Sequence, residues 1–515
     1  MILLFKRLIS LLVSAISIFS IMNIGSKNPL NFIRTGSLNY VQTADVSLNV
    51  NALKKYQTLT GFGASACWWA QDIGNSENAD EVARLLYSDE GLALNVYRYN
   101  LGGGEKENPN SRIRGNRATE SFLVRNDAGE WVYDFSRDAA AQRMLEKCLA
   151  YGNIDTVVLF ANSPHYSLTR TGQATGGQTE NFSNLPPENY QAFADYCIEA
   201  AKYFLSKGVP VKYLSPINEP QWSWGGDWVG QEGCHYEPDE VVAVMRVFAR
   251  AIKASGLDLK LMAPESGQLG DVTLDYFDRL VADPEIREAL GSLAYHSYWA
   301  DGQIWNKYQF GKALAEKNYP VNVEMTEWCE LPLEHDIKSY DSFLRMAEVI
   351  QHDLTLTGAN GWSAWVGVNN AGIKEDGSWW SDGPLAMTDD AAEVRVATRY
   401  YALQHFSAFI PAGSVRVDPN PDVKDVDYQK DDDHVIYDFQ LGYTASAYQT
   451  PDGRIVVVVI NKGNERNFTV TAFGKVKAEI WQSTETGGYM QRVHSGIIPL
   501  KTKLPTNSVT TFVLR

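Results

Sequence analysis

Between Leu59 and Phe409 the chain alternates between short, apolar, β-branched runs and longer segments with helical period, and this constrains its fold more than any other feature. The apolar runs cover 59–65, 94–100, 154–162, 211–217, 259–263, 293–298, 321–327 and 361–368. Helical period covers 78–86, 139–151, 188–207, 238–255, 272–282, 339–357 and 391–409, with Glu237, Asp239 and Glu240 around Pro238 reading as a helix's first turn. Runs that are apolar throughout fit strands buried on both faces, and strands separated by helices pair in parallel. The pattern predicts an α/β fold, a (β/α)8 TIM barrel, whose active sites lie at the C-terminal ends of the strands.

After Phe409 the period changes. Short strands recur at 443–448, 454–461, 468–472, 478–482 and 508–514, with Pro451-Asp452-Gly453 as a turn signal. This predicts a side β-sandwich. A weakly alternating run at 46–50 supplies it with an N-terminal strand. The expected organisation is therefore an N-terminal signal or anchor (1–26), a linker (27–41), a sandwich strand (42–56), the catalytic barrel (57–409) and the sandwich (410–515).

At the N-terminus, Lys6 and Arg7 precede an apolar run from Leu8 to Ile24, and the nearest small-residue cleavage site is Ile24-Gly25-Ser26. A secretory signal and an uncleaved anchor both fit, and both place the protein in a secreted or extracellular-facing position. A membrane contact is expected only if the segment is an uncleaved anchor. The net charge of −16, without a long basic run, argues against a nucleic-acid partner. Five scattered cysteines without a CxxC pair form neither a disulfide framework nor a zinc site, and Cys329 reads as a packed thiol. No metal or cofactor is expected, and the chain is expected to be a monomer. The three glycines 102–104 lack the spacing and lysine of a phosphate loop and are expected to turn the backbone at a strand end.

Two strand ends carry chemistry. In 214–224 (LSPINEPQWSW), Pro216 and Pro220 end the ladder, which leaves Asn218 and Glu219 on the opening loop, followed by Gln221, Trp222 and Trp224. In 321–330 (VNVEMTEWCE) a second strand ends in Glu327, followed by Trp328. Indole faces stack on the C–H faces of pyranose rings, and an apolar wall raises a carboxyl pKa. Two strand-end glutamates, each beside an indole, point to a sugar-cleaving site. Glu324, an odd number of residues before Glu327, is expected on the opposite side of the strand as a structural or solvent-facing charge. For Trp68, Trp69, Trp222 and Trp224, subsite walls and plain packing fit equally well.

Eight further pieces occur in order: GFGAS, YRYNLGGG, ANSP, SPINEPQ, HSY, MTEW, GWSAW and YYALQHFSAFIPAGS, with SVTTFVL at the end. With them the chain resembles glycoside hydrolase family 30, a family of retaining glycosidases with a barrel and a side sandwich built from both termini. The double Trp in GFGASACWWA resembles the branch that cleaves β-1,6-linked galactan; other branches act on β-1,6-glucan, glucuronoxylan or glucosylceramide. The resemblance implies a polysaccharide or oligosaccharide substrate, Glu219 as general acid/base and Glu327 as nucleophile. It further implies that Asn218 binds the sugar 2-OH, that Arg98 and Tyr298 hold Glu327, and that His296 lines the same wall. Trp362 would floor the sugar subsite, with Trp68 and Trp222 as further sugar contacts. Glu219 is expected to start protonated, its pKa raised by the indoles and by Glu327. One departure is His165-Tyr166 after Ser163-Pro164, where related enzymes often carry an indole.

Overall fold

The computed structural model describes residues 45–113, 115–176, 179, 181–226, 230–300, 303–331, 335–422, 429–431, 434–436 and 442–515. The expected signal or anchor and the linker lie outside these residues. The described chain opens on strand β1 (Val46–Thr58). Eight parallel strands then close into a barrel: β2 (Gly61–Ser65), β3 (Val96–Asn100), β4 (Thr156–Phe160), β5 (Val211–Ser215), β6 (Lys260–Ser266), β7 (Leu290–His296), β8 (Asn322–Glu327) and β9 (Gly361–Ala364). β9 pairs with β2 and completes the ring. β4 (TVVLF) is buried at every position, as expected of a strand with side chains on one face and helices on the other. The small residues of β2 are needed for the curvature: a Cβ on Gly63 would fall 2.7 Å from that of Val96.

The main helices are α1 (Ala79–Tyr87), α2 (Ala139–Leu149), α3 (Tyr190–Ser206), α4 (Pro238–Ser255), α5 (Asp271–Ala282), α6 (Ile304–Lys317), α7 (Tyr340–His352) and α8 (Thr398–Ser407). α4 starts on Pro238 with Glu237 and Glu240 in a reciprocal capping box. α6 is absent from the helices read in the sequence. Its buried face is Lys307, Phe310, Gly311 and Leu314, so only half of it is large and apolar. The helical reading of 391–409 is corrected at its start: Val394–Val396 is a strand antiparallel to Leu385–Met387, and the helix begins at Thr398.

The sandwich holds β10 (Val415–Asp418), β11 (Tyr443–Gln449), β12 (Ile455–Asn461), β13 (Arg466–Ala472), β14 (Lys477–Thr484), β15 (Gly488–Ile497), β16 (Thr502–Leu504) and β17 (Ser508–Leu514). Their order is β15-β14-β17-β12-β11-β10-β1-β13-β16. β1 joins both layers. Its first half runs parallel to β13, from Val46 opposite Phe468 to Val50 opposite Ala472. Its second half runs antiparallel to β10 with two register shifts, and such shifts let a strand turn a corner. β12 is buried on both faces. Ile455, Val457 and Val459 fill the sandwich core, while Val456, Val458 and Ile460 join the barrel's core.

Candidate active site

Beyond β5, the backbone is carried through Pro216 and Ile217 to Glu219, whose N–H donates to the Glu265 carbonyl at 2.8 Å. Glu219 sits at φ +46, in the left-handed region. Glu265 (φ +59), Trp224 (φ +48) and Trp299 (φ +62) share that conformation around the same barrel mouth. Each such residue costs about 1–3 kcal/mol and persists only where the surroundings hold it. The Glu219 carbonyl accepts from the Trp222 N–H at 3.1 Å and the Trp224 indole at 3.0 Å. Gly267 keeps the space clear: a Cβ there would fall 2.3 Å from Trp222 Nε1 and 2.8 Å from Glu219 Oε1.

Glu327 ends β8. The pairing of β8 with β7 slips between Met325 and Glu327 and brings Glu327 opposite His296. A slip of this kind re-aims side chains. Here it turns Thr326 and Glu327 alike into the site. Tyr298 donates to Glu327 Oε1 at 3.0 Å, and Arg98 Nη1 lies 3.5 Å from Oε2 and donates to the Thr326 carbonyl at 2.8 Å. The Arg98 guanidinium packs 4.5 Å over the Phe160 ring, which fixes its plane.

A third carboxylate completes the cluster. Glu265, at the end of β6, has no exposure to solvent. It lies 3.5 Å from Arg98 Nη2, accepts from His296 Nε2 at 3.1 Å and from Ser215 at 2.8 Å, and is also bonded by Thr326. Burial by itself raises its pKa, but Arg98, His296 and Thr326 outweigh burial and hold it down at about 2. His296 bridges the cluster, with Nδ1 3.0 Å from Glu219 Oε1 and 3.6 Å from Glu327 Oε1. Burial opposes its charge, yet Glu327, Glu219 and Glu265 together push its pKa up to about 10, so it is an imidazolium. Burial and the charge of Glu219 push Glu327 up to about 7, against the pull of His296 and Arg98. The cluster therefore holds a carboxyl proton close to neutrality, as coupled carboxylates do.

Among the residues expected at the site, Arg98, Asn218, Glu219, His296, Tyr298 and Glu327 come together. Asn218 is buried beside Glu219, and its Oδ1 has no hydrogen-bond partner. Trp222 stands against Gly267 and Glu219. Trp68 packs edge-on to Trp365 at 5.4 Å, with the Arg117 guanidinium 4.7 Å over its face. Trp69 is core, its indole donating to the Ser65 carbonyl. Trp362 is not a subsite floor. It is 1 % exposed, and its indole donates at 3.1 Å to Asp353, the first residue beyond α7. Gly361 and Ser363 beside it turn into the barrel, against Glu324 and Gly63 of the two neighbouring strands, so strand alternation turns Trp362 outward to the helices.

Glu324 does not face solvent. It is buried beside Ser292, Thr60 and Gly361, and burial raises its pKa to about 7. The slip in β8 breaks the parity on which that expectation rested. His165, where relatives often carry an indole, is buried edge-on to Trp131 at 5.2 Å and kept neutral, its pKa pushed down to about 3 by burial. The glycines serve this region by close approach as well as by turning: a Cβ on Gly104 (φ +80) would fall 2.6 Å from His165 Nε2. Cys329 is buried, 3.7 Å from the Tyr298 hydroxyl.

Glu265, Gly267, Trp299 and Trp365 escaped the sequence reading. Pro264 made β6 look finished at Ala263, although pairing continues to Ser266 opposite Tyr295.

Glu219, His296 and Glu327 each place a ligand-type atom within 4.8 Å of the others. A cation fits poorly there, because His296 is itself the cation and directs both ring nitrogens at carboxylates. Two carboxylates that close, with a proton between them and an orphaned amide oxygen alongside, can deliver a proton and a nucleophile to one bound carbon–oxygen bond.

Two family models match the chain: O-glycosyl hydrolase family 30 over residues 45–281, and the glycosyl hydrolase family 30 beta sandwich domain over 413–512. An endo-β-1,6-galactanase of Hypocrea rufa is 23 % identical over 479 residues, covering 86 % of this chain and 88 % of that protein. A glucuronoxylanase of Bacillus subtilis strain 168 is 23 % identical over 496 residues, covering 93 % and 94 %. Among solved structures, a conserved exported protein from Bacteroides fragilis superposes with a TM-score of 0.77 at 22 % identity, covering 91 % of this chain and all (100 %) of that one. At that identity the likeness concerns fold alone.

Proposed function

Because the chain belongs to glycoside hydrolase family 30, and so is an O-glycosyl hydrolase acting on β-glycans, we propose that it cleaves β-1,6-linked galactan with retention of anomeric configuration. The observation that carries the mechanism is the 4.8 Å limit on the separation of Glu219 and Glu327 ligand oxygens. It suits the roughly 5–5.5 Å between carboxyls of a retaining site better than the roughly 6.5–9.5 Å across which an inverting site holds a water.

Ionised Glu327 attacks the anomeric carbon, and the bond from that carbon to the leaving oxygen breaks. Glu219 gives its proton to that oxygen, and its new carboxylate accepts from the His296 imidazolium. Glu219 then takes a proton from water, whose oxygen displaces Glu327 and restores the free enzyme. Tyr298 and Arg98 hold the attacking carboxylate, and the free Asn218 Oδ1 accepts from the sugar 2-OH. Half-exposed Trp222 stands beside Glu219 and gives the leaving sugar a stacking surface.

The galactan reading draws on the full-length similarity to the Hypocrea enzyme and on Trp68-Trp69. The somewhat longer similarity to the Bacillus enzyme supports a second reading, another β-glycan such as glucuronoxylan. The test is product release from de-arabinosylated arabinogalactan, β-1,6-glucan and glucuronoxylan by wild type, Glu219→Gln and Glu327→Gln. Wild type is expected to release β-1,6-galacto-oligosaccharides, and each variant to lose at least about 10²–10⁴-fold. Release from another polysaccharide only would replace the substrate; full activity in either variant would overturn the mechanism. We further propose that the protein is secreted and monomeric, testable by its N-terminal sequence and mass in culture medium.

A further inference from the structure

The mechanism leaves one wall of the site unused. The barrel runs in the order β8-β9-β2-β3, and Trp365, Asp382, Trp68 and Arg117 follow β9, β2 and β3. Glu219, Trp222 and Gly267 follow β5 and β6, on the other side of Glu327. The acid protonates the leaving oxygen, so its side takes the leaving sugar. The opposite wall faces the ring that Glu327 captures.

That wall carries unsatisfied polar groups. Asp382 is 3 % exposed; Oδ1 accepts from Asn369, while Oδ2 is buried and accepts from no nitrogen or oxygen donor among the described residues. The Cys329 thiol lies against Asp382 and, on its other side, 3.7 Å from the Tyr298 hydroxyl that holds Glu327. Arg117 lies within the electrostatic reach of Asp382 but forms no ion pair among the described residues. It is half-buried on the Trp68 ring and donates a long 3.4 Å bond to the Gly230 carbonyl. The Trp68 indole nitrogen is buried without a partner as well. A buried carboxylate oxygen without a hydrogen bond is expensive unless something else satisfies it.

We propose that Asp382 and Arg117 read the 4-OH of the captured sugar, Asp382 Oδ2 accepting from it and Arg117 donating to it, and so set which hexose is cleaved. With C1 facing Glu327, the 2-OH facing Asn218 and O6 continuing a 1,6-linked chain, the 3-OH and 4-OH are left for this wall, and of these only the 4-OH differs between galactose and glucose. The 4-OH is axial in galactose and equatorial in glucose, so a fixed donor–acceptor pair distinguishes them. This deepens the proposed function and rests on its assignment of the two glutamates.

The test is a kinetic cycle. Aryl β-1,6-galactobioside and its analogue lacking the 4-OH on the aryl-bearing ring are compared in wild type, Asp382→Ala and Arg117→Met, with the gentiobioside pair alongside. Asp382→Ala and removal of the 4-OH are each expected to lower kcat/KM roughly 10- to 100-fold, as for hydrogen bonds to charged groups. Combined, they are expected to lower it no further than either alone. Arg117→Met keeps its stem on Trp68 and leaves a half-exposed position, so it tests the same coupling should Asp382→Ala fail to fold. Losses that multiply in both variants would make the pair structural and overturn the proposal. If wild type turns over only the gentiobioside, the galactan reading falls. The same cycle on that pair then decides this inference separately: coupling keeps it and independence ends it.

Discussion

Burial and Glu219 push the Glu327 pKa up to about 7, so below that pH the pair keeps one carboxyl proton; in the proposed mechanism Glu219 gives that proton while Glu327 attacks as the carboxylate. Activity should therefore fall as pH rises through that region, because the pair loses the proton that Glu219 must give. The His296 charge favours the carboxylate, so removing it must raise the Glu327 pKa further. His296→Gln is expected to move the alkaline limb of the kcat/KM profile to higher pH. A limb that stays in place would show that the imidazolium does not act on the nucleophile. At this scale the two glutamates were legible because each ends an apolar run beside an indole. Glu265 was hidden by Pro264. Trp362 was misassigned because its direction depends on where strand alternation starts, which a motif does not contain.

The helix layer holds β9 through one buried carboxylate. Asp353 pairs with Lys307 of α6 at 2.6 Å and accepts from Ser297 at 2.8 Å and from the Trp362 indole at 3.1 Å. Ser297 lies between His296 and Tyr298, so this network also braces the wall that holds Glu327. Lys307→Met leaves Asp353 buried without its cation and is expected to lower the unfolding free energy by about 3–5 kcal/mol, read from denaturant melts. A loss under about 1 kcal/mol, the size of an exposed pair, would show that Asp353 is not charged there. The same lysine explains why α6 was missed: a buried charge breaks the apolar stripe by which a helix is recognised. The start of α8 was misplaced because the alternation of Val394 and Val396 is only three residues long and runs straight into the helix, and pairing with Leu385 and Met387 is what makes it a strand.

Over the whole molecule, β12 binds sandwich and barrel into one unit. Both faces are core, and His405 of α8 bridges Thr511 and Ser483 of the sandwich at 2.8 Å each. Tyr489 stacks on Tyr401 at 4.8 Å in the same interface. The two parts are expected to melt in a single transition. Ile460→Ala, on the barrel-facing side, should lower the stability of that transition by about 2–5 kcal/mol without splitting it. Two resolved calorimetric peaks, in wild type or variant, would contradict the shared core.

From the sequence alone came the alternation that makes a barrel, the later change to short strands, and the two glutamates at strand ends. These are properties of contiguous segments, where hydrophobic period and chain-breaking prolines act locally. Tertiary structure alone decided that β1 serves both sandwich layers, that Glu265 lies between Arg98 and His296, that Trp362 faces the helices, and that Asp382 and Arg117 share a wall with Trp68. Each depends on strand register or on residues far apart in the chain, and a one-residue slip, such as the one in β8, reverses which side chains meet.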